Sequence, residues 1–131
     1  MSARALPPFL ERTLRILPAG LYLVFTWSAS DQTADSLPAI VSDKLAHFGE
    51  YGLLVLLLIF ALTAFELERI TPRALLAAAA LSIAWGVIDE YHQSFVPTRD
   101  SSRADVAADA AGSAAGAALV AALAWRERRR S

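Results

Sequence analysis

An all-α membrane protein is the fold class that this sequence predicts, with about four transmembrane helices in a small bundle. Apolar residues make up 56% of the chain and charged residues only 19%, whereas soluble proteins average roughly 45–50% and about 25%. The charges lie in short islands between four long apolar runs, three of which approach the roughly 20 residues that cross a bilayer. The whole chain, residues 1–131, is therefore predicted to be a single membrane domain.

The first predicted span covers residues 14–29. It is short for a span, and it contains Pro18. Ser28-Ala29-Ser30 at its end also resembles a signal-peptide cleavage site. The sequence favours a span, because the rest of the chain also has the pattern of a membrane protein, but a cleaved leader stays open.

The second span covers residues 45–65 and is the richest in Leu, Ile, Val and Phe. The third covers residues 73–92. It follows Thr71-Pro72, which predicts an N-cap and a proline in the first helical turn.

The fourth span covers residues 105–125 and is rich in alanine. A soluble, alanine-rich hairpin is the alternative for the third and fourth runs. A soluble helix needs a polar face, and no charged residue occurs from Ala74 to Ile88. The pattern therefore favours the membrane.

Basic residues predict the orientation, because short cytoplasmic loops carry the excess of Lys and Arg. Nine lie in the two tails and the second loop: Arg4, Arg12, Arg15, Arg69, Arg73, Arg126, Arg128, Arg129 and Arg130. Three lie on the other side: Lys44, Arg99 and Arg103. We therefore expect a multi-pass protein of the cytoplasmic membrane with both termini in the cytoplasm.

Acidic residues collect at or near the predicted outer face: Asp31, Asp35, Asp43, Glu50, Asp89, Glu90, Asp100, Asp105 and Asp109. Ionisable groups within spans are costly and usually face a partner or a water-filled cavity. The chain has no cysteine, which excludes disulfides and thiolate chemistry. No basic stripe is present, so nucleic acid is not an expected partner.

A polar constellation is predicted where the helix ends converge. Lys44, His47 and Tyr51 share one face of the second helix. His47, Asp89 and Glu90 are candidates for acid–base catalysis or for ligating a divalent ion. The candidate ligand-binding residues are Lys44, Tyr51, Gln93, Arg99, Arg103, Asp105 and Asp109.

Gly112 and Gly116 have the small-xxx-small spacing that lets two helices approach closely. Helix packing is their predicted role. The partner helix could belong to the same chain or to a second copy in a homo-oligomer, and both readings stay open.

Three motifs are similar to those of the VanZ-like family, over about residues 27–116. They are Asp43-Lys44-x-x-His47-Phe48-x-x-Tyr51, Asp89-Glu90-x-His92-Gln93-x-Phe95-x-Pro97-x-Arg99 and Asp105-x-x-x-Asp109-x-x-Gly112-x-x-x-Gly116. The sequence departs from the family at Asp109, where asparagine is usual, and at Thr98, where glycine is common. The family is named for a protein linked to resistance against the glycopeptide teicoplanin, and whether that link extends to this chain stays open. The resemblance implies a bacterial inner membrane and a connection with the cell envelope. It does not supply a reaction, and it leaves the cofactor unknown.

Three functions follow as hypotheses. In the first, the protein binds or modifies an anionic envelope lipid or glycolipid at the outer leaflet, and Lys44, Arg99 and Arg103 hold a phosphate. In the alternative, it is a non-catalytic structural or partner-binding protein whose polar residues form an interhelical network. The third is solute or proton movement through Glu50 and Asp109, which is disfavoured because the polar residues stop near one face. No nucleophile motif is present, so the sequence leaves enzymatic activity open.

Overall fold

The structure is a computed structural model that describes residues 6–32, 43–99 and 101–131. These residues form four helices and no strand: α1 (Pro8–Ser30), α2 (Asp43–Thr63), α3 (Pro72–Gln93) and α4 (Arg103–Arg128). Helices α1, α3 and α4 each contain a predicted span, and α2 ends two residues before its predicted span does. Arg4, Asp35 and Asp100, which the sequence singled out, lie outside the described residues.

Three of the four helices, α2, α3 and α4, are long and apolar enough to cross a membrane. Helix α1 does not meet that criterion, and it carries Glu11, Arg12, Arg15 and Pro18. The predicted small all-α membrane bundle is confirmed. Its surface agrees with contact with lipid, because large apolar side chains such as Leu21, Leu76 and Leu81 are more than half exposed.

Local sequence signals set where the helices start and stop. Thr71 is the N-cap of α3, as predicted, and its hydroxyl accepts a hydrogen bond from Ala74 N at 3.2 Å. Ser102 caps α4 in the same way, accepting from Asp105 N at 3.2 Å. After α2, Ala64 and Phe65 adopt positive φ values of 52° and 57°, which end the helix.

Glycines bring α4 close to α2 of the same chain. A Cβ on Gly112 would overlap the Phe48 carbonyl oxygen and lie 3.1 Å from Gly52 N. A Cβ on Gly116 would lie 3.1 Å from Gly52 O. The two backbones therefore approach at distances that a larger residue would prevent.

The apolar core lies in one half of the bundle. Its buried members come from α2, α4 and the region around α3: Val55, Ile59, Ile70, Ala78, Val120 and Ala124. Beyond this core, Arg128 donates from Nη2 to the carbonyl oxygens of Leu67 and Ile70, at 2.7 and 2.8 Å. We call this the basic end, because Arg69, Arg73 and the C-terminal arginines also lie there.

The opposite end of the bundle, which we call the polar end, is formed where α1 and α3 finish and α2 and α4 begin. Side-chain contacts across the helices establish this arrangement: Ser30 bonds to Asp89, and Lys44 pairs with Asp105. The charged and polar residues predicted from four separate segments thus meet in one place.

Candidate functional site

His47 and Asp109 form a buried pair between α2 and α4. Nδ1 of His47 lies 2.9 Å from Oδ1 of Asp109, and the two side chains are 9% and 1% exposed. Because a carboxylate oxygen accepts, the ring donates from Nδ1, and Nε2 faces the opposite direction. Nε2 lies 3.8 Å from Glu90 Oε1 and 3.9 Å from Asp43 Oδ1, which is too far for a hydrogen bond. Asp109 therefore orients the ring so that Nε2 faces two further carboxylates.

Lys44 occupies the outer edge of this cluster. Its ammonium group pairs with Asp105, which is 2% exposed, and lies 3.4 Å from Ser102 Oγ. The Ser102 hydroxyl also donates to Asp105 Oδ2 at 2.6 Å. The charge of Asp105 is thus compensated by Lys44, and this ion pair joins α2 to the start of α4.

Asp89 links α3 to the end of α1. The Ser30 hydroxyl donates to one of its carboxylate oxygens, and Gln93 Nε2 donates to the other at 3.0 Å. Asp89 is 3% exposed and Gln93 5% exposed. Both oxygens of this buried carboxylate therefore have hydrogen-bond donors.

Glu90 accepts fewer hydrogen bonds than Asp89 does. Its Oε2 accepts from Ser102 N at 3.1 Å, whereas Oε1 is buried with no hydrogen-bond partner among the described residues. The same is true of Tyr51 OH and Asp109 Oδ2. An unsatisfied buried polar group costs about 1–3 kcal/mol, so three of them near one histidine mark this region as unusual.

Gly86 of α3 makes room for this cluster. A Cβ at Gly86 would lie 2.8 Å from Asp109 Oδ2 and 3.1 Å from Tyr51 Cε1. The absent side chain lets the Asp109 carboxylate and the Tyr51 ring pack against the backbone of α3. Any larger residue would displace one of them.

Arg99 lies on the α1 side of the polar end. It donates from Nε to Gln32 O at 3.0 Å and from Nη2 to Ala29 O at 3.1 Å, so it satisfies carbonyls at the end of α1. The preceding Thr98 has a φ of 67°, a conformation that favours glycine. The turn therefore has the shape that a glycine would adopt, although threonine stands there.

A cavity of about 310 Å³ opens between α1, α2 and α3. Aromatic and small residues of α1 form one wall, and the polar residues of α2 and α3 form the others. The lining consists of Tyr22, Phe25, Thr26, Ala29, Ser30, Asp43, Ala46, His47, Glu50, Asp89, Gln93 and Arg99. A larger cavity of about 620 Å³ at the basic end is mainly apolar and contains none of the predicted site residues.

The VanZ/LLP1 family model matches residues 9–124. The chain belongs to the VanZ/LLP1 family. The match covers all but the first eight and the last seven of the 131 residues, and it confirms the resemblance drawn from the three motifs. Neither the curated proteins nor the solved structures contain a match to this chain.

Within this VanZ/LLP1 bundle, most predicted site residues meet at the polar end. The shared cluster contains Lys44, His47, Tyr51, Asp89, Glu90, Gln93, Asp105 and Asp109. Arg99 joins it as part of the cavity wall. Arg103 does not join it: the residue is exposed and forms no hydrogen bond or ion pair within the described part of the chain.

Two groups in this VanZ/LLP1 site have the composition of a metal centre. Asp43, His47 and Asp105 offer ligand atoms within 4.8 Å of one another, and so do His47, Glu90 and Asp109. His47 belongs to both groups. Imidazole and carboxylate groups are common ligands of divalent transition metals.

Sequence reasoning missed Ser30, Ser102 and Gly86 as parts of the site. Ser102 precedes Asp105 by three residues at a helix start, which is a recognisable N-cap signal. Ser30 and Gly86 carry no such signal, because their roles depend on how α1 and α4 pack against α3.

Proposed function

We propose that this membrane protein binds the anionic head group of a cell-envelope lipid or glycolipid in the cavity between α1, α2 and α3. The observation that carries the proposal is the position of Arg99. This arginine lines the cavity, and within residues 6–32, 43–99 and 101–131 it forms no ion pair with a carboxylate. Its bonds to Ala29 O and Gln32 O hold the guanidinium in place without neutralising its charge. A guanidinium that is held in place and has no ion pair among the described residues suits a phosphate.

The rest of the cavity fits a molecule with a polar head and an apolar tail. Tyr22 and Phe25 form the apolar part of the wall, and Phe25 is 61% exposed on the outside of the bundle. The polar part is formed by His47 and Gln93 and by the three carboxylates of Asp43, Glu50 and Asp89. A lipid lying in the outer leaflet could place its head among these groups and its chain along α1.

The proposed location is the extracytoplasmic face of the bacterial inner membrane, with both termini in the cytoplasm. The excess of arginine at the basic end supports this orientation. Single cysteines at Ser94 and Ser101, with a control at Ser131, would test it in intact cells with an impermeant thiol reagent. We expect labelling at Ser94 and Ser101 only. Labelling at Ser131 alone would overturn the proposed face and the outer-leaflet ligand.

Binding is tested with the purified protein in neutral-lipid nanodiscs that contain undecaprenyl phosphate or phosphatidylglycerol. Replacing Arg99 with glutamine should weaken binding at least about tenfold, since a charge-assisted contact contributes roughly 1.5–3 kcal/mol. The matched control is Arg73→Gln at the basic end, which should leave binding unchanged. Equal binding by both variants would refute the role of Arg99, and no binding of either lipid by the wild type would count against this ligand class.

A structural role is the second candidate, and the ion pair between Lys44 and Asp105 supports it. If the polar end only joins helices, then Lys44→Asp should lower the amount of folded protein, and adding Asp105→Lys should restore it. The restored protein would then function normally in cells. A double variant that folds and still binds lipid would favour the first proposal, because neither Lys44 nor Asp105 lines the cavity.

A further inference from the structure

We propose that the polar end binds one divalent transition-metal cation, ligated by His47 Nε2 with the carboxylates of Asp43 and Glu90. Zn²⁺ is the cation that this donor set fits best. The proposed site goes beyond lipid binding, and it can be tested without any lipid.

The distances around His47 Nε2 support a metal. Glu90 Oε1 lies at 3.8 Å and Asp43 Oδ1 at 3.9 Å from this nitrogen. Those separations are too long for hydrogen bonds. Two ligands bound to one zinc at about 2.0–2.2 Å lie roughly 3.4 Å apart at the tetrahedral angle. Glu90 Oε1 would reach the ion by a shift of a few tenths of an ångström. The side chain of Asp43, which is 60% exposed, would turn toward the ion to complete the site.

Glu90 gives an independent indication of a ligand. The residue is 5% exposed, and its Oε1 has no hydrogen-bond partner among the described residues. This is the oxygen that faces His47 Nε2. A buried carboxylate oxygen without a donor is costly, and a cation between the two atoms would satisfy both.

Asp109 would act as the orienting partner of the metal-bound histidine. Histidine ligands usually donate the other ring N–H to a carboxylate or a carbonyl, which fixes the tautomer and the ring direction. His47 has this arrangement already, since Nδ1 lies 2.9 Å from Asp109 Oδ1. The bond keeps the proton on Nδ1 and presents the lone pair of Nε2 to the cation.

The charge balance of the region also favours a cation. Lys44 compensates Asp105, and hydrogen-bond donors satisfy Asp89. Neither Lys44 nor Arg99 forms an ion pair with Glu90 within the described residues. Lys44 Nζ also lies 3.5 Å from Asp43 Oδ2. A divalent ion would offset the charge of Glu90, and it would reduce the repulsion between the carboxylates of the cavity wall and an anionic head group.

The nitrogen donor predicts which metal binds. Mg²⁺ and Ca²⁺ prefer sites made only of oxygen ligands, whereas imidazole with carboxylates suits Zn²⁺. We therefore expect Zn²⁺ to bind at least about tenfold more tightly than either Mg²⁺ or Ca²⁺.

Isothermal titration of the full chain in detergent, after removal of metals with a chelator, measures the binding. The wild type should take up one Zn²⁺ per chain. Glu90→Gln should weaken this binding at least about tenfold, as should His47→Gln. The matched control is His92→Gln, which removes the second of the two histidines in the chain. His92 stacks on Trp27 and lies 3.2 Å from Asp31, outside the cluster, so its loss should change the affinity less than about twofold.

Nuclear magnetic resonance of the ¹⁵N-histidine-labelled wild type keeps the test independent of how the variants fold. His92→Gln assigns the two imidazoles. Zn²⁺ should shift the Nε2 resonance of His47 and leave its Nδ1 proton in place. A shift of His92 alone, the absence of Zn²⁺ binding at micromolar concentration, or equal affinity for Mg²⁺ would each overturn the metal site. None of these outcomes bears on the lipid assay, so the two proposals fail separately.

Discussion

At the polar end, His47 and Asp109 pair with side chains that are 9% and 1% exposed, whereas at the basic end Arg69 and Glu66 pair with 51% and 42% exposure. Both are contacts between a basic and an acidic residue with good geometry. Their surroundings differ, because the first pair lies between helices and the second lies at the surface, where water or lipid head groups solvate the charges.

This difference in burial decides how much each contact contributes to the stability of the fold. Exposed ion pairs contribute about 0–1 kcal/mol, because solvent screens them. A buried group that loses its partner pays the cost of desolvation in full. Natural membrane proteins seldom keep ionisable groups in such positions without a partner or a function. The polar end is therefore where substitutions should be most damaging, and four predictions test this contrast.

The largest loss of stability is expected where α4 packs closely against α2. Gly112→Ala places a Cβ against the Phe48 carbonyl, which must push the helices apart and separate the residues of the polar end. We expect the free energy of unfolding to fall by about 3 kcal/mol or more, which is at or above the upper part of the range for overpacking. Unfolding by sodium dodecyl sulfate in mixed micelles measures it. Gly49→Ala is the control, because a Cβ there meets nothing within 4 Å. Equal stability of the two variants would show that α4 does not pack closely against α2.

A smaller loss is expected from the central pair. Asp109→Ala leaves the buried Nδ1–H of His47 without an acceptor, and we expect a cost of about 2 kcal/mol. Asp109→Asn keeps an oxygen that can accept the same bond, so its cost should stay below about 1 kcal/mol. The same unfolding assay compares them. If the asparagine variant were as unstable as the alanine variant, the negative charge and not the hydrogen bond would be the stabilising feature.

At the basic end, Arg128→Ala removes two hydrogen bonds to the carbonyls of Leu67 and Ile70. Water or head groups can replace these bonds, so we expect a loss of about 1 kcal/mol. Thermal unfolding in detergent measures the change. A loss as large as that of Gly112→Ala would contradict the contrast between the two ends.

The smallest effect is expected for Glu66→Gln. Glu66 lies 2.7 Å from Arg69 and 3.4 Å from Arg15, but its side chain is 42% exposed. The stability should change by less than about 0.5 kcal/mol, and the change should shrink further in high salt. A larger change that persists in high salt would mean that this pair is shielded from solvent.

The sequence predicted the elements of the fold well, because each element depends on local properties. Hydropathy located the apolar runs, and Thr71-Pro72 marked the start of α3 correctly. The meeting of polar residues at one end followed from the alternating direction of successive helices. These inferences need no knowledge of which helices touch.

The pairing within the site could not be predicted, because it depends on the rotation of each helix and on the choice of neighbours. Lys44 pairs with Asp105, and Arg99 bonds to backbone carbonyls of α1, although the sequence offered both as cations for a ligand. Ser30 became a partner of Asp89 only because α1 packs against α3. Contacts of this kind are set by interhelical geometry, which a one-dimensional pattern does not contain.

The contact between α2 and α4 also has a consequence for biosynthesis. His47 and Asp109 are 62 positions apart in the chain, and α4 is made after α2 and α3. During synthesis, His47 enters the membrane before its carboxylate partner exists. The polar end is therefore completed only when α4 has been inserted. A chain truncated after α3 would lack both Asp105 and Asp109, the partners of Lys44 and His47.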